Sequence, residues 1–166
     1  KKGKHSVGVK RQYSGTAGKV ENCQIGTFLS YATTKGHAFL DRRLYLPKEE
    51  WCNDLERRKQ AKVPDHVIFQ TKPEQAMEML EDAWQAGVPM SWVAGDEVYG
   101  DSTALRNLIA RHERRYVLAI KTSTPMWAER PQVVEPKPQE RGRPRTKARL
   151  AEGSPSATTA KEVVDS

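Results

Sequence analysis

A chain of 166 residues is long enough for one domain with a real core and too short for two large ones. It has no apolar run near the roughly 20 residues of a membrane span, too few cysteines (Cys23, Cys52) for a disulfide framework or zinc site, and four histidines without metal-ligand spacing. The net charge of +7 lies in two blocks around a mildly acidic body: residues 1–19 carry six Lys and Arg and no acid, and residues 137–149 carry six against Glu140 alone. Such blocks suit nucleic acid, because each neutralised phosphate releases counterions; solvated basic tails are the alternative. The first residue is Lys1, and no signal-like apolar segment follows it. The chain is therefore expected to be a piece of a longer protein from the reducing cytoplasm.

Residues 1–19 hold four glycines and little periodicity and read as a loop leading into a strand. From Val20 to Ala32 the residues alternate, with Cys23, Ile25, Thr27, Leu29 and Tyr31 on one face. Thr33-Thr34-Lys35-Gly36 makes a turn, and a second strand follows with Ala38, Leu40, Leu44 and Leu46 sharing a face interrupted by Arg42. The two strands are expected to form an antiparallel hairpin. Pro47 ends the second strand and opens a short helix, Lys48 to Trp51. Residues 53–62 are strongly polar, helix or loop, and Val67-Ile68-Phe69 is a short apolar piece.

The best-marked helix comes next. Thr71 and Glu74 have capping-box spacing, Pro73 is tolerated in the first turn, and Gly87 with Pro89 supplies the stop. Its core stripe is Ala76, Met77, Leu80, Ala83 and Trp84. A strand over Ser91–Gly95 follows and ends at Asp96 and Glu97, where open α/β sheets place their ligands. A carboxylate there can hold a metal or move a proton, or it can cap a turn; Glu97 also reads as a solvent-facing side chain. Asp101 reads as the N-cap of a helix over 102–113 whose Ala104, Leu105, Leu108 and Ile109 face inward. Tyr116–Ile120 is a continuous apolar run, as in a strand buried on both faces, and this alternation implies right-handed parallel crossovers. Residues 131–166 hold five of the ten prolines and are expected to be disordered or loosely attached.

An antiparallel hairpin, a helix, a strand ending in Asp, a helix and a further strand resemble the ribonuclease H-like fold without its first strand and last helix. The stretch from Lys1-Lys2-Gly3-Lys4 to Val9, then Arg11-Gln12-Tyr13-Ser14-Gly15 and Gly18-Lys19-Val20-Glu21-Asn22, is similar to bacterial insertion-sequence transposases of the DDE superfamily endonuclease group. Gly95-Asp96-Glu97-Val98-Tyr99-Gly100-Asp101 resembles the second-carboxylate motif of that family. The resemblance implies an α/β fold with an incomplete mixed sheet over residues 1–122, followed over 123–166 by a Pro-rich basic linker or insertion. It implies DNA, as transposon ends and target, for a partner, with dimers or larger assemblies and no membrane, in the bacterial cytoplasm at the nucleoid. The chemistry implied is phosphoryl transfer on two Mg²⁺ or Mn²⁺ ions held by three carboxylates.

Carried over by position, the catalytic and metal-binding residue is Asp96. The first Asp of the family would precede Lys1 and the third acid would follow Ser166, so this chain holds one ligand of three and is not expected to cleave DNA as it stands. The inactive alternative is a transposase remnant that binds DNA without catalysis; a third is another ribonuclease H-like nuclease without strand transfer. Lys10 and Arg11, in the first basic block, are candidate DNA-backbone contacts. In the second block Arg141-Gly142-Arg143-Pro144 matches the core of an AT-hook, making Arg141, Arg143 and Arg145 candidate groove or phosphate contacts, with an inert linker as the other reading.

Overall fold

The computed structural model describes residues 3–136 and 147–165. The chain divides into two compact units, Lys1–Ala119 and Ile120–Ser166.

The first unit begins with a hairpin that the sequence hides. Strand β1 (Lys10–Ser14) pairs antiparallel with β2 (Lys19–Cys23), and the Gly18 amide closes the turn on the Ser14 carbonyl at 2.9 Å with φ 64°. The expectation of a loop over 1–19 is therefore corrected. The half-buried face of β1 is Lys10, Gln12 and Ser14, which leaves no apolar alternation to read. Its polar groups are satisfied locally: the Gln12 amide donates to the Cys23 carbonyl at 3.1 Å, and the Lys10 ammonium pairs with Glu50.

Strands β3 (Ile25–Thr33) and β4 (Gly36–Tyr45) form the expected antiparallel ribbon. On β3 the inward residues are those predicted, with Thr27 buried and Ile25, Leu29 and Tyr31 half-buried. On β4 the predicted face fails. Leu29 pairs with Asp41 and Ser30 with Phe39, which leaves Leu40 as an unpaired bulge. A single extra residue reverses the side-chain parity of everything beyond it. Asp41, Arg43 and Tyr45 therefore turn inward and Leu44 turns out to 42% exposure. The Arg43 guanidinium binds Asp41 and reaches Asp82 at 3.1 Å and Glu78 at 3.5 Å, tying the ribbon to the helix beneath it.

A π-helical turn (Lys48–Cys52), begun at Pro47, buries Trp51 completely, and α1 (Leu55–Gln60) follows with Asp54 as its cap. The Trp51 indole N–H donates to the Val9 carbonyl at 2.9 Å, and the Arg57 guanidinium lies 3.9 Å above the ring. Val9, Leu46 and Trp51 form one small core.

The larger core gathers Leu80, Ala83, Met90, Leu105 and Ile109 between α2 (Lys72–Gln85) and α4 (Thr103–Arg111), with Leu29, Tyr31, Val93 and Leu118 packed on it. The buried side of α2 is Gln75, Met79, Leu80 and Ala83, so the predicted stripe is rotated: Ala76, Met77 and Trp84 flank the core, and Ala104 of α4 is exposed. The predicted capping box is present. Glu74 accepts from the Thr71 N–H and hydroxyl, both at 2.7 Å, and these bonds hold its carboxyl below the usual range. We expect Thr71→Ala to cost about 1 kcal/mol of unfolding free energy, measured by denaturant titration, because α2 loses the hydroxyl half of the box while the residue-71 N–H still donates to Glu74.

Strands β5 (Trp92–Gly95) and β6 (Arg115–Leu118) pair in parallel through α3 (Glu97–Gly100) and α4. β6 is not buried on both faces as expected: Tyr116 is 40% and Val117 65% exposed, and since neighbours in a strand point to opposite faces, both faces are partly open there. The antiparallel and parallel pieces of the predicted mixed sheet are both there, but they do not join. Among the described residues β3 pairs only with β4 and β5 only with β6, and a cavity of about 470 Å³ lies between Leu29–Ala32 of β3 and Trp92–Ala94 of β5. β3 and β5 thus each present an open edge, one on each side of that cavity.

In the second unit, where a loose tail is expected, the described residues carry short pairings. β7 (Pro125–Met126) pairs with β10 (Thr158–Thr159) and β8 (Val133–Val134) with β9 (Arg149–Leu150), and α5 (Ala160–Asp165) follows. The Glu162 carboxylate accepts from the Thr159 N–H at 2.7 Å and from the Thr158 and Thr159 hydroxyls, which pull it down to about 2.

Candidate functional site

The strand-to-helix junction at the end of β5 is built by close approach. The Ala119 N–H donates to the Gly95 carbonyl at 3.0 Å, so the chain after β6 stays paired beside the junction. α3 then lies against that segment with no space between. A Cβ on Gly100 would stand 1.8 Å from the Ala119 carbonyl oxygen, and one on Gly95 would meet Leu118 at 3.0 Å. The Arg106 guanidinium binds the Gly100 carbonyl and holds the junction from the α4 side.

This packing fixes Asp96 at the C-terminal end of a parallel strand, exposed to solvent. Its backbone is extended (φ −78°, ψ −176°), and Oδ1 accepts from the Val98 N–H at 2.9 Å as the cap of α3. The capping role considered in the sequence is therefore real. It occupies one carboxylate oxygen and leaves the other without a hydrogen-bond partner among the described residues. Glu97 is the first residue of α3 and exposed, as one of its two readings has it.

Asp101 is not the N-cap of the next helix. It closes α3, its N–H donating to the Glu97 carbonyl at 3.0 Å, and Ser102 caps α4 by accepting from the Leu105 N–H at 3.2 Å. A four-residue helix occupies 97–100, so the start of α4 falls one residue later than spacing alone suggests.

Beneath Asp96 runs a polar chain absent from the sequence reading. The half-buried Tyr99 phenol lies beside Thr27, the two lining one small cavity. Burial pushes the Tyr99 phenol up, the neighbouring Thr27 hydroxyl draws it partly down, and the Asp96 charge raises it further. Thr27 donates to Gln75 Oε1 at 2.8 Å, and Gln75 donates to the Leu44 carbonyl at 3.2 Å. Thr27 and Gln75 are 2% and 4% exposed, so both must be satisfied internally, and this chain does so. The signal was available: Gln75 lies on the apolar side of an amphipathic helix, where an unpaired amide is costly.

The candidate backbone contacts differ in availability. Lys10 is engaged 2.5 Å from Glu50, whose carboxyl it holds below the usual range, whereas Arg11 is exposed opposite Asn22. Gln12 and Tyr13 of β1, Lys72 of α2 and Val98 of α3 border one open cavity of about 380 Å³, which places the β1 hairpin beside the Asp96 junction. Lys72 is a cation at this site that the sequence reading missed. Arg141, Arg143 and Arg145 lie outside the described residues.

Among the described residues no group of three or more His, Cys, Asp or Glu is placed to hold a metal ion. A lone carboxylate with one oxygen already engaged does not fit a pair of divalent ions by itself. No helix among the described residues is long and apolar enough to cross a membrane. A family model described as DDE superfamily endonuclease matches residues 1–166. No curated protein and no solved structure matches the chain.

Proposed function

Since the chain belongs to the DDE superfamily endonucleases, we propose that it is part of a transposase that cleaves and joins DNA, with Asp96 as one of its metal-binding carboxylates. The observation that carries this reading is the placement of Asp96: a carboxylate fixed at the end of β5, capped through one oxygen and open through the other. The antiparallel β3–β4 ribbon followed by the parallel β5–β6 pair also supports a ribonuclease H-like arrangement.

In the proposed reaction water opens a phosphodiester at the element's end, and the released 3′-hydroxyl then attacks target DNA. Divalent ions, when bound, supply electrostatic clamping of the attacking and leaving oxygens. These residues do not complete that centre, and the remaining carboxylates come from elsewhere in the active enzyme. What they do is hold one ligand rigid: α3 cannot shift toward β6, and the Tyr99–Thr27–Gln75 chain keeps the underside of the junction polar and filled. Arg11 and Lys72 contribute positive charge near the DNA path, where phosphate contacts position the substrate.

The second reading, a DNA-binding remnant without catalysis, is favoured by the lack, among the described residues, of three or more acids or other ligands grouped to hold a metal. One assay separates the two. Protein made from the whole reading frame that contains this chain is incubated with duplex DNA carrying the flanking inverted repeat. Nicking that requires Mg²⁺ or Mn²⁺ and stops with chelator is the expected result; DNA bound but never cut establishes the remnant.

A further inference from the structure

The bulge at Leu40 that spoils the predicted face of β4 creates a second surface. Beyond it, Phe39 shares the outer face of the ribbon with Phe28, Arg42 and Leu44. Phe39 is 75% and Phe28 61% exposed, and their rings stand 5.7 Å apart at 52°. Phe28 is not loosely placed: its ring lies over Gly26, where a Cβ would come within 2.8 Å of it. The missing side chain thus lets the ring rest on the sheet and turn its other face to solvent. Arg42 sits directly opposite Phe28 and makes no ion pair among the described residues, and His37 lies opposite Ala32 near the tip. The outer face carries no Asp or Glu; Asp41 points the other way, to Arg43.

Exposed aromatic rings, held in place beside a cation that makes no ion pair among the described residues, suit a ligand with flat faces and negative charge. We propose that the outer face of the β3–β4 ribbon is a stacking platform for single-stranded DNA, with Phe28 and Phe39 each taking a base and Arg42 a phosphate. This rests on the reading of the chain as a DNA-acting protein and adds to it a site remote in role from Asp96. Stacking tolerates every base, so the platform binds without sequence preference, and its affinity falls with salt through Arg42. A protein partner would also cover aromatic rings, but the lone cation and the missing acids favour a polyanion.

The test uses the whole 166-residue chain, fluorescein-labelled oligothymidylate and a labelled duplex, read by anisotropy. Wild type is expected to bind both. The Phe28→Ala/Phe39→Ala variant should bind oligothymidylate about tenfold or more weakly, with duplex binding and the unfolding midpoint unchanged. The Phe28→Tyr/Phe39→Tyr variant should keep wild-type affinity, since tyrosine stacks as well. Undiminished oligothymidylate binding by the alanine variant overturns the platform. So does a loss of self-association on sedimentation with DNA affinity intact, which would make this face a protein contact. Wild-type binding to duplex but not to oligothymidylate removes the platform alone; binding to neither removes the DNA reading as well.

Discussion

Under the proposed function, Asp96→Asn in protein from the whole reading frame is expected to lower metal-dependent DNA cleavage by about a thousandfold while leaving the fold intact. Asp96 is the observed cap of α3 and the proposed metal ligand, and this substitution separates the two roles. Its Oδ1 caps α3 through the Val98 N–H, and asparagine caps as well as aspartate. Its second oxygen and its charge are what a hard divalent ion needs, and asparagine supplies neither in full. Losing a charged ligand removes several kcal/mol of transition-state stabilisation, which sets the scale of about a thousandfold. Asp96→Ala should be equally inactive but also less stable by about 1 kcal/mol, through loss of the cap. Cleavage rates by gel assay and unfolding curves on both variants give the comparison. An asparagine variant that cuts at the wild-type rate would reduce Asp96 to a capping residue.

Gly100→Ala should prevent stable folding. The Cβ it adds would stand 1.8 Å from the Ala119 carbonyl oxygen and 2.9 Å from its carbon, and both are backbone atoms that cannot rotate away. Relief requires α3 to lift from the end of β6, breaking the Ala119–Gly95 hydrogen bond and exposing Leu118. Overpacking against rigid backbone costs about 3 kcal/mol or more, a large part of a domain's marginal stability. Circular dichroism with thermal melting should show a lost or strongly lowered cooperative transition. A midpoint within error of wild type would mean that the junction is looser than its contacts imply.

What the sequence disclosed depended on how local the cause was. The capping box at Thr71, the inward face of β3 and the strand end before Asp96 each rest on residues within a few positions of one another, and each is present. The β1–β2 hairpin escaped notice because its half-buried face is polar and draws its support from backbone pairing and Glu50. The inward face of β4 was misassigned because a bulge is invisible to an alternation count. At the site, the strand-end carboxylate was legible; the Tyr99–Thr27–Gln75 chain was not, because its members come from three elements far apart in sequence. The exposure of β6 depends on what packs against its two faces, and no single strand encodes that.

The bulge at Leu40 also says where this hairpin can change length. Ser30 already faces Phe39 and Leu29 already faces Asp41, so removing Leu40 would close the ladder with every remaining partner unchanged. A deletion anywhere else within the strands would carry one stretch of side chains to the opposite face. Relatives that differ by one residue in this hairpin therefore have a site at which the difference is absorbed, and alignments of the family should set their gap there.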